Sequence, residues 1–317
     1  MEDVLNTLLS VFLGASLLSY SDFPIRDTAE YLVQPIPEVR MLSFGDLMLG
    51  RDVERLMKLN GENYPFEVIF DEKGLNPEDY DLMTANLEGP VLKAKKRADL
   101  EPFFAFDPEV TPRLLKKWGF DLLGLANNHT WDHGAHGWES TLKELHEVGL
   151  MTFGNPKNMF DHDIHETELN GVKLAFMGLS FIPFDIDWDH AKKVVQNLDT
   201  RNDFVILMPH WGIEYQTQSS VFQRDKAHGM IEAGVDLIIG HHPHVIQESE
   251  VFMGKHIYYS LGNFVFDQYF SENVQKGLGL DITLIKGGEV LIEEIPFSIK
   301  KGQPYFPVKD QSDSLEI

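Results

Sequence analysis

The sequence contains no cysteine. That absence excludes a disulfide framework, thiolate zinc sites and cysteine nucleophiles, while leaving the compartment undecided. Basic charge is scarce as well: 27 Lys and Arg stand against 50 Asp and Glu, a formal charge of −23. A nucleic-acid binder needs a basic field to meet phosphates, so no nucleic-acid partner is expected. Cations suit such a chain, although most acidic groups on a surface serve solubility. No apolar run reaches the roughly 20 residues that a membrane-spanning helix needs. Histidine is missing from the whole segment before His129, yet 13 follow from there onward.

What is present describes a folded chain. A hydrophobic fraction of 43% with 11% aromatics excludes wholesale disorder, and 317 residues suffice for a large core. Residues 5–18 (LNTLLSVFLGASLL) are mostly apolar and have the length of a signal-peptide core, with Ser19 and Ser21 near its end. The preceding Met1, Glu2 and Asp3 are acidic where Lys or Arg is expected. Signal, anchor and packed helix therefore stay open for residues 4–19. Cell-envelope or membrane association is the expectation, with the cytoplasm as the alternative. Residues 22–39 carry three prolines and read as a linker. The organisation expected is a leader over 1–38, one domain over 39–300 and a flexible polar tail over 301–317.

From Val39 short apolar runs alternate with helical spacing. Strands are expected at 39–45, 80–88, 120–126, 203–209 and 235–240. Helices are expected at 51–59, 108–118 (capped by Asp107), 136–148 and 220–233. Asn170-Gly171 between alternating runs signals a hairpin over 165–180. Further hairpins are expected over 251–262, turning at Gly254-Lys255, and over 278–295. The alternation implies an α/β fold with a mixed sheet.

The polar residues fall where these strands end. Asp46, Glu88, Asn127-Asn128-His129, His210, the run His241-His242-Pro243-His244 and Asn263 each follow an apolar strand. Open α/β sheets bind ligands beyond the carboxyl ends of their strands. Singly, each residue has a plainer account: Asp46 as a helix cap, Glu88 as a solvated loop charge, Asn127-Asn128 as turn formers, and His210 as a core group with its bonds satisfied. Three imidazoles within four residues are harder to explain without a metal that keeps them neutral. Carboxylate, amide and imidazole ligands without thiolate suit Mn, Fe or Zn. Such a site activates water against phosphoesters or amides. His129 is placed to act as a general acid, and Asp132, three residues on, to orient it. Arg51 either binds an anionic substrate group or begins a helix at the surface. Histidines 133, 136, 146, 162, 165, 190 and 256 read as surface groups, and His228 as packing.

The stretches FGDLMLGR (44–51), NLEGP (86–90), GFDLLGLANNHTWDHG (119–134), PHWGIEYQ (209–216), AHGMIEAGVDLIIGHHPHVIQ (227–247) and GKHIYYSLGNFVFDQ (254–268) occur in the order seen in a known family. The chain resembles the CapA family, named for poly-γ-glutamate capsule biosynthesis, within the calcineurin-like metallophosphoesterase superfamily. The resemblance implies a four-layered α/β/β/α sandwich of metallophosphoesterase type with mixed sheets. It also implies a metal-dependent hydrolase-like protein of capsule or envelope-polymer synthesis. In that pattern one metal takes Glu88, Asn128, His210 and His242, and a second takes Asp46, Glu88 and His244, with His129 as acid. The superfamily's Asp-x-His falls on Asp46-Leu47-Met48, so a histidine ligand is lost. One tight metal and one weak or absent metal are expected. The implied partners are an anionic polymer or phosphoester substrate and the capsule machinery at the membrane. Two rival functions are a non-enzymatic capsule assembly or export factor and a small-nucleotide phosphodiesterase.

Overall fold

A computed structural model describes residues 35–71, 74–93, 103–158 and 163–307. The leader and its apolar segment lie outside the described residues. Among those described, no helix is long and apolar enough to cross a membrane.

Alternation of side chains along the strands builds the layers. In β1 (Glu38–Leu47), Met41 and Leu42 point to opposite faces and join different core clusters. In β3 (Leu122–Gly124), Leu122 and Leu123 do the same, after β2 (Leu82–Leu87). β4 (Met151–Phe153) adds a short edge strand. Helices α1 (Arg51–Asn60), α2 (Thr111–Lys117) and α3 (Gly134–Glu147) connect these strands.

The second half repeats the logic. β5 (His165–Leu169) and β6 (Val172–Ser180) form the expected hairpin, with Asn170 and Gly171 both at positive φ. Then come α4 (Trp188–Asp199), β7 (Phe204–His210), α5 (Val221–Ile231), β8 (Leu237–Ile239), β9 (Ser249–Phe252) and β10 (Lys255–Tyr258). β11 (Asn263–Val265), β12 (Lys276–Ile285), β13 (Glu289–Lys300) and β14 (Gln303–Tyr305) complete the chain.

Two sheets result. One has the order β14-β13-β12-β1-β2-β3-β4, with β11 also beside β1; the other runs β5-β6-β7-β8-β10-β9. Both mix parallel and antiparallel pairs. A core cluster joining Met41, Leu82, Leu122 and Phe153 to Phe176, Phe204, Ile206 and Ile239 fills the space between the sheets. A second cluster sets the first sheet against Val53, Met57, Leu114, Leu115 and Leu145 of α1, α2 and α3. A third sets β6 and β7 against Ala191, Val195, Ala227 and Met230 of α4 and α5. These three apolar layers define the four-layered α/β/β/α sandwich.

Several boundaries differ from expectation. α2 starts at Thr111, not at Pro108; the Asp107 carboxylate accepts from the Glu109 amide in a turn that precedes the helix. The β9–β10 turn uses Met253-Gly254, one residue early, both at positive φ. β10 stops at Tyr258, so Asn263 begins β11 instead of trailing a strand. α4 and β4 had no expected counterpart. Past Lys300 the chain is not all tail: β14 pairs with the end of β13, and residues 308–317 lie outside the described set.

Candidate metal centre

Strand β1 changes partner on the way to the site. It pairs with β12 through Ser43, slips register against β2, and then lies beside β11 at Asp46. Gly45 makes this switch possible: a Cβ there would stand 1.9 Å from the Gly262 carbonyl oxygen. The Asp46 amide donates to that same carbonyl at 3.0 Å. Such an irregularity re-aims a side chain at a strand end. Asp46 consequently points into the carboxyl edge shared by both sheets.

Asp46, Glu88, His210, His242 and His244 converge there, all buried. Asp46 Oδ1 accepts from Asn86 Nδ2 at 2.8 Å, and its Oδ2 accepts from the His242 amide at 3.1 Å. His244 Nδ1 lies 3.4 Å from Asp46 Oδ2, and its Nε2 lies 3.7 Å from Glu88 Oε1. His210 Nε2 lies 2.7 Å from Asn128 Oδ1, 3.1 Å from His242 Nδ1 and 3.9 Å from Glu88 Oε1. His242 and His244 adopt positive φ (97° and 57°) on either side of Pro243, the strained turn that points both rings inward.

Glu88 is the decisive residue. It is fully buried, and neither carboxylate oxygen has a hydrogen-bond partner. An orphaned buried carboxylate costs roughly several kcal/mol unless a cation meets it. Two triads, Glu88-His242-His244 and Asp46-Glu88-His210, each gather ligand atoms within 4.8 Å, and Glu88 belongs to both. Ligands about 2.1 Å from one ion at a tetrahedral angle stand about 3.4 Å apart, close to the separations above. The donor set fits a divalent cation.

Burial governs the acid–base state of this cluster. It drives the His210 imidazole well below its usual range, with the neighbouring His242, His241 and His244 adding to the effect. Burial, then His244, takes His242 down to about 4. Neutral imidazole is the metal-binding form. His244 moves the other way: burial opposes its charge, but Glu88 and Asp46 outweigh it and lift it to about 9. Burial, then the Asp46 charge, pushes Glu88 well up despite His244. For Asp46, burial is outweighed by His244, His241 and Asn86, and its carboxyl is held below the ordinary value.

A second group flanks the ligands. His129 Nδ1 contacts Asp132 Oδ2 at 2.9 Å, and the same oxygen accepts from the Phe104 amide at 2.6 Å. The Phe104 ring stacks on His129 at 3.9 Å, and the Arg51 guanidinium lies 4.7 Å above Phe104. Arg51 bonds Asp267 through Nε at 3.1 Å, so its charge is already compensated.

Some neighbours were missed or read too coarsely. Asn127 does the turn work, its Oδ1 accepting from the His129 amide, the Thr130 amide and the Thr130 hydroxyl, which leaves Asn128 to face His210. Asn86, overlooked inside NLEGP, bridges Asp46 and Asn127. His241 turns away from the ligands, with Nε2 3.3 Å from the Phe44 carbonyl. Met48, in the place of the superfamily's histidine, joins the apolar cluster and accepts from the Gly50 amide at 3.1 Å. His133, His165, His190 and His256 are partly buried, not surface groups, and His162 lies outside the described residues.

The family model described as "Bacterial capsule synthesis protein PGA_cap" matches residues 40–268, and the chain is 33% identical over 303 residues to the capsule biosynthesis protein CapA of Bacillus anthracis. The chain belongs to the CapA family. That alignment covers 88% of this chain and 72% of the Bacillus anthracis protein. Identity to the PGA biosynthesis protein CapA of Bacillus subtilis (strain 168) is 33% over 285 residues, covering 84% and 73%. A probable polyglutamine synthesis accessory protein of Mycobacterium tuberculosis is 26% identical over 214 residues, covering 59% and 56%. A hypothetical protein from Thermus thermophilus shares the fold (TM-score 0.52, 18% identity, 82% of this chain and 100% of that one). CapA proteins are metallophosphoesterase-like, and this chain carries a buried carboxylate–imidazole cluster that could hold a metal ion.

Proposed function

We propose that this CapA-family protein is a metal-dependent hydrolase-like protein of poly-γ-glutamate or related envelope-polymer synthesis, cleaving a phosphoester or amide. The orphaned Glu88 carboxylate among Asp46, His210, His242 and His244 carries this reading. Asp46, Glu88, Asn128, His210, His242 and His244 would hold a Mn, Fe or Zn cation. When bound, that cation supplies Lewis acidity and an activated water.

The chain's own residues do the rest. Asp132 holds Nδ1 of His129, which leaves Nε2 to carry a proton to the leaving group. Phe104 stacks on the ring and restricts its rotation, and Arg51 braces Phe104. The apolar setting of Met48 leaves a second cation only Asp46, Glu88 and His244, hence one tight ion and one weak or absent. The names of the Bacillus and Mycobacterium relatives support an anionic polymer as substrate, capsule machinery at the membrane as partner, and the cell envelope as location.

The test assays purified protein, with and without metal, on phosphodiesters and on γ-glutamyl polymer. Glu88→Gln and His210→Ala should abolish turnover, and full turnover in either variant refutes the mechanism. The buried thioether at Met48 also favours a second reading, a non-enzymatic capsule assembly or export factor with a structural or vestigial metal site. A doubly substituted Asp46→Ala/His244→Ala strain that makes normal capsule would select it.

A further inference from the structure

Asn263 sits in β11, paired in register with Asp46, and is fully buried. Its Nδ2 donates to the Val274 carbonyl at 3.0 Å and to Gln268 Oε1 at 3.1 Å. A carbonyl oxygen only accepts, so the Val274 bond fixes which end of the Asn263 amide is nitrogen. Oδ1 therefore faces His244 Nδ1, at 3.0 Å. That oxygen also only accepts, and the second neighbour of the same nitrogen is the acceptor Asp46 Oδ2. The His244 proton belongs on Nδ1, and Nε2 is the nitrogen directed at Glu88.

The order continues outward. Because Gln268 uses Oε1 toward Asn263, its Nε2 donates to the Tyr215 hydroxyl, at 3.3 Å. Tyr215 is 40% exposed, and its amide donates to the Pro243 carbonyl between the two histidines of the site. Its hydroxyl bonds Glu214 in turn. Every link has one permitted direction, from the buried ligand to the surface loop.

We propose that Asn263 and Gln268, with Tyr215 at the outer end, form a directional relay that fixes His244 with its proton on Nδ1 and its Nε2 lone pair toward Glu88. Asn263 is then a positioning residue of the metal centre, a role that rests on the metal reading above for its consequence but not for its geometry. Partners of this kind orient ligating imidazoles and raise their basicity. The plain alternative is that Asn263 only ties β11 to the Val274 turn.

Two measurements decide between them. In the metal-free wild type, ¹⁵N histidine spectra of the neutral His244 ring should show the Nδ1–H form. An Nε2–H form overturns the relay. Zinc titration should show binding weakened about 10- to 100-fold in Asn263→Ala. Asn263→Asp, which keeps an acceptor toward Nδ1 but loses the donor to the Val274 carbonyl, should recover part of the loss. A folded Asn263→Ala protein that binds zinc as tightly as wild type overturns the relay while leaving the metal reading intact. Wild type that binds no zinc overturns the metal reading, and the spectra then decide the relay alone. Should Asn263→Ala fail to fold, Asn263→Asp and the wild-type spectra carry the test.

Discussion

Replacing Glu88 by Gln separates the cost of a buried carboxylate from its use. In the metal-free chain the Glu88 carboxyl is fully buried and lacks any hydrogen-bond partner, with His244 favouring its charge and Asp46 opposing it. Exchanging it for an amide should cost the chelated protein less than about 1 kcal/mol, or stabilise it, because no hydrogen bond is broken and the relieved burial of the carboxyl offsets the lost attraction to His244. Loaded protein behaves differently. A cation at a hundred times its dissociation constant stabilises the fold by about 2.7 kcal/mol. At about 2–4 °C per kcal/mol for a domain approaching this size, wild type should gain about 5–10 °C in Tm. Glu88 belongs to both ligand triads, so the variant should lose most of that gain. Thermal melts with chelator and with saturating Mn or Zn give all four values. A variant that drops several degrees in chelator, or keeps the full metal-induced gain, refutes the reasoning.

Three further outcomes follow from individual contacts. His129→Asn should lower kcat by about 10²- to 10⁴-fold while metal content stays at the wild-type level; lost metal would make His129 a ligand instead of an acid. Phe264→Ala should cost about 3–5 kcal/mol in urea unfolding, since the ring is fully buried and stacks on Phe44 at 3.9 Å and 13°. Glu166 bonds Arg201 and Asn202, and the Arg201 bond holds its carboxyl at about 2, below its ordinary 4.5. That contribution is present above 4.5 and lost as pH falls toward 2. With both side chains more than a third exposed, it amounts to less than about 1 kcal/mol. Glu166→Gln should therefore be slightly less stable than wild type at neutral pH and equal to it in strong acid, as read by denaturant midpoints.

The convergence of the buried carboxylates and imidazoles was legible because each follows a strand whose apolar run is unmistakable, as in VILMP before His210 and LIIG before His241. Parallel strands carry such ends to one edge whatever the detailed topology. The partition into two sheets was harder to see. Residues such as Met41 and Leu42 are equally apolar, and only the three-dimensional packing sends one between the sheets and the other under a helix. The β1 irregularity at Gly45 was invisible, because its cause is the approach of Gly262, far along the chain. The same distance hid Asp267, which pairs with Arg51 of the first strand–helix unit. Asp107 misled for a local reason, since its carboxylate serves a turn and the helix begins only at Thr111. Arg51 was read as a substrate contact or a surface arginine from its place in the chain, whereas the structure pairs it with Asp267 beneath Phe104.

We propose that these buried side chains form a metal centre with one strong position. Metal analysis of purified protein, before and after dialysis against chelator, tests it most directly. The expected result is one tightly held Mn, Fe or Zn ion per wild-type chain and none in Glu88→Gln. Two tightly held ions would contradict the role given to Met48, and no ion even after loading with metal would contradict the centre itself.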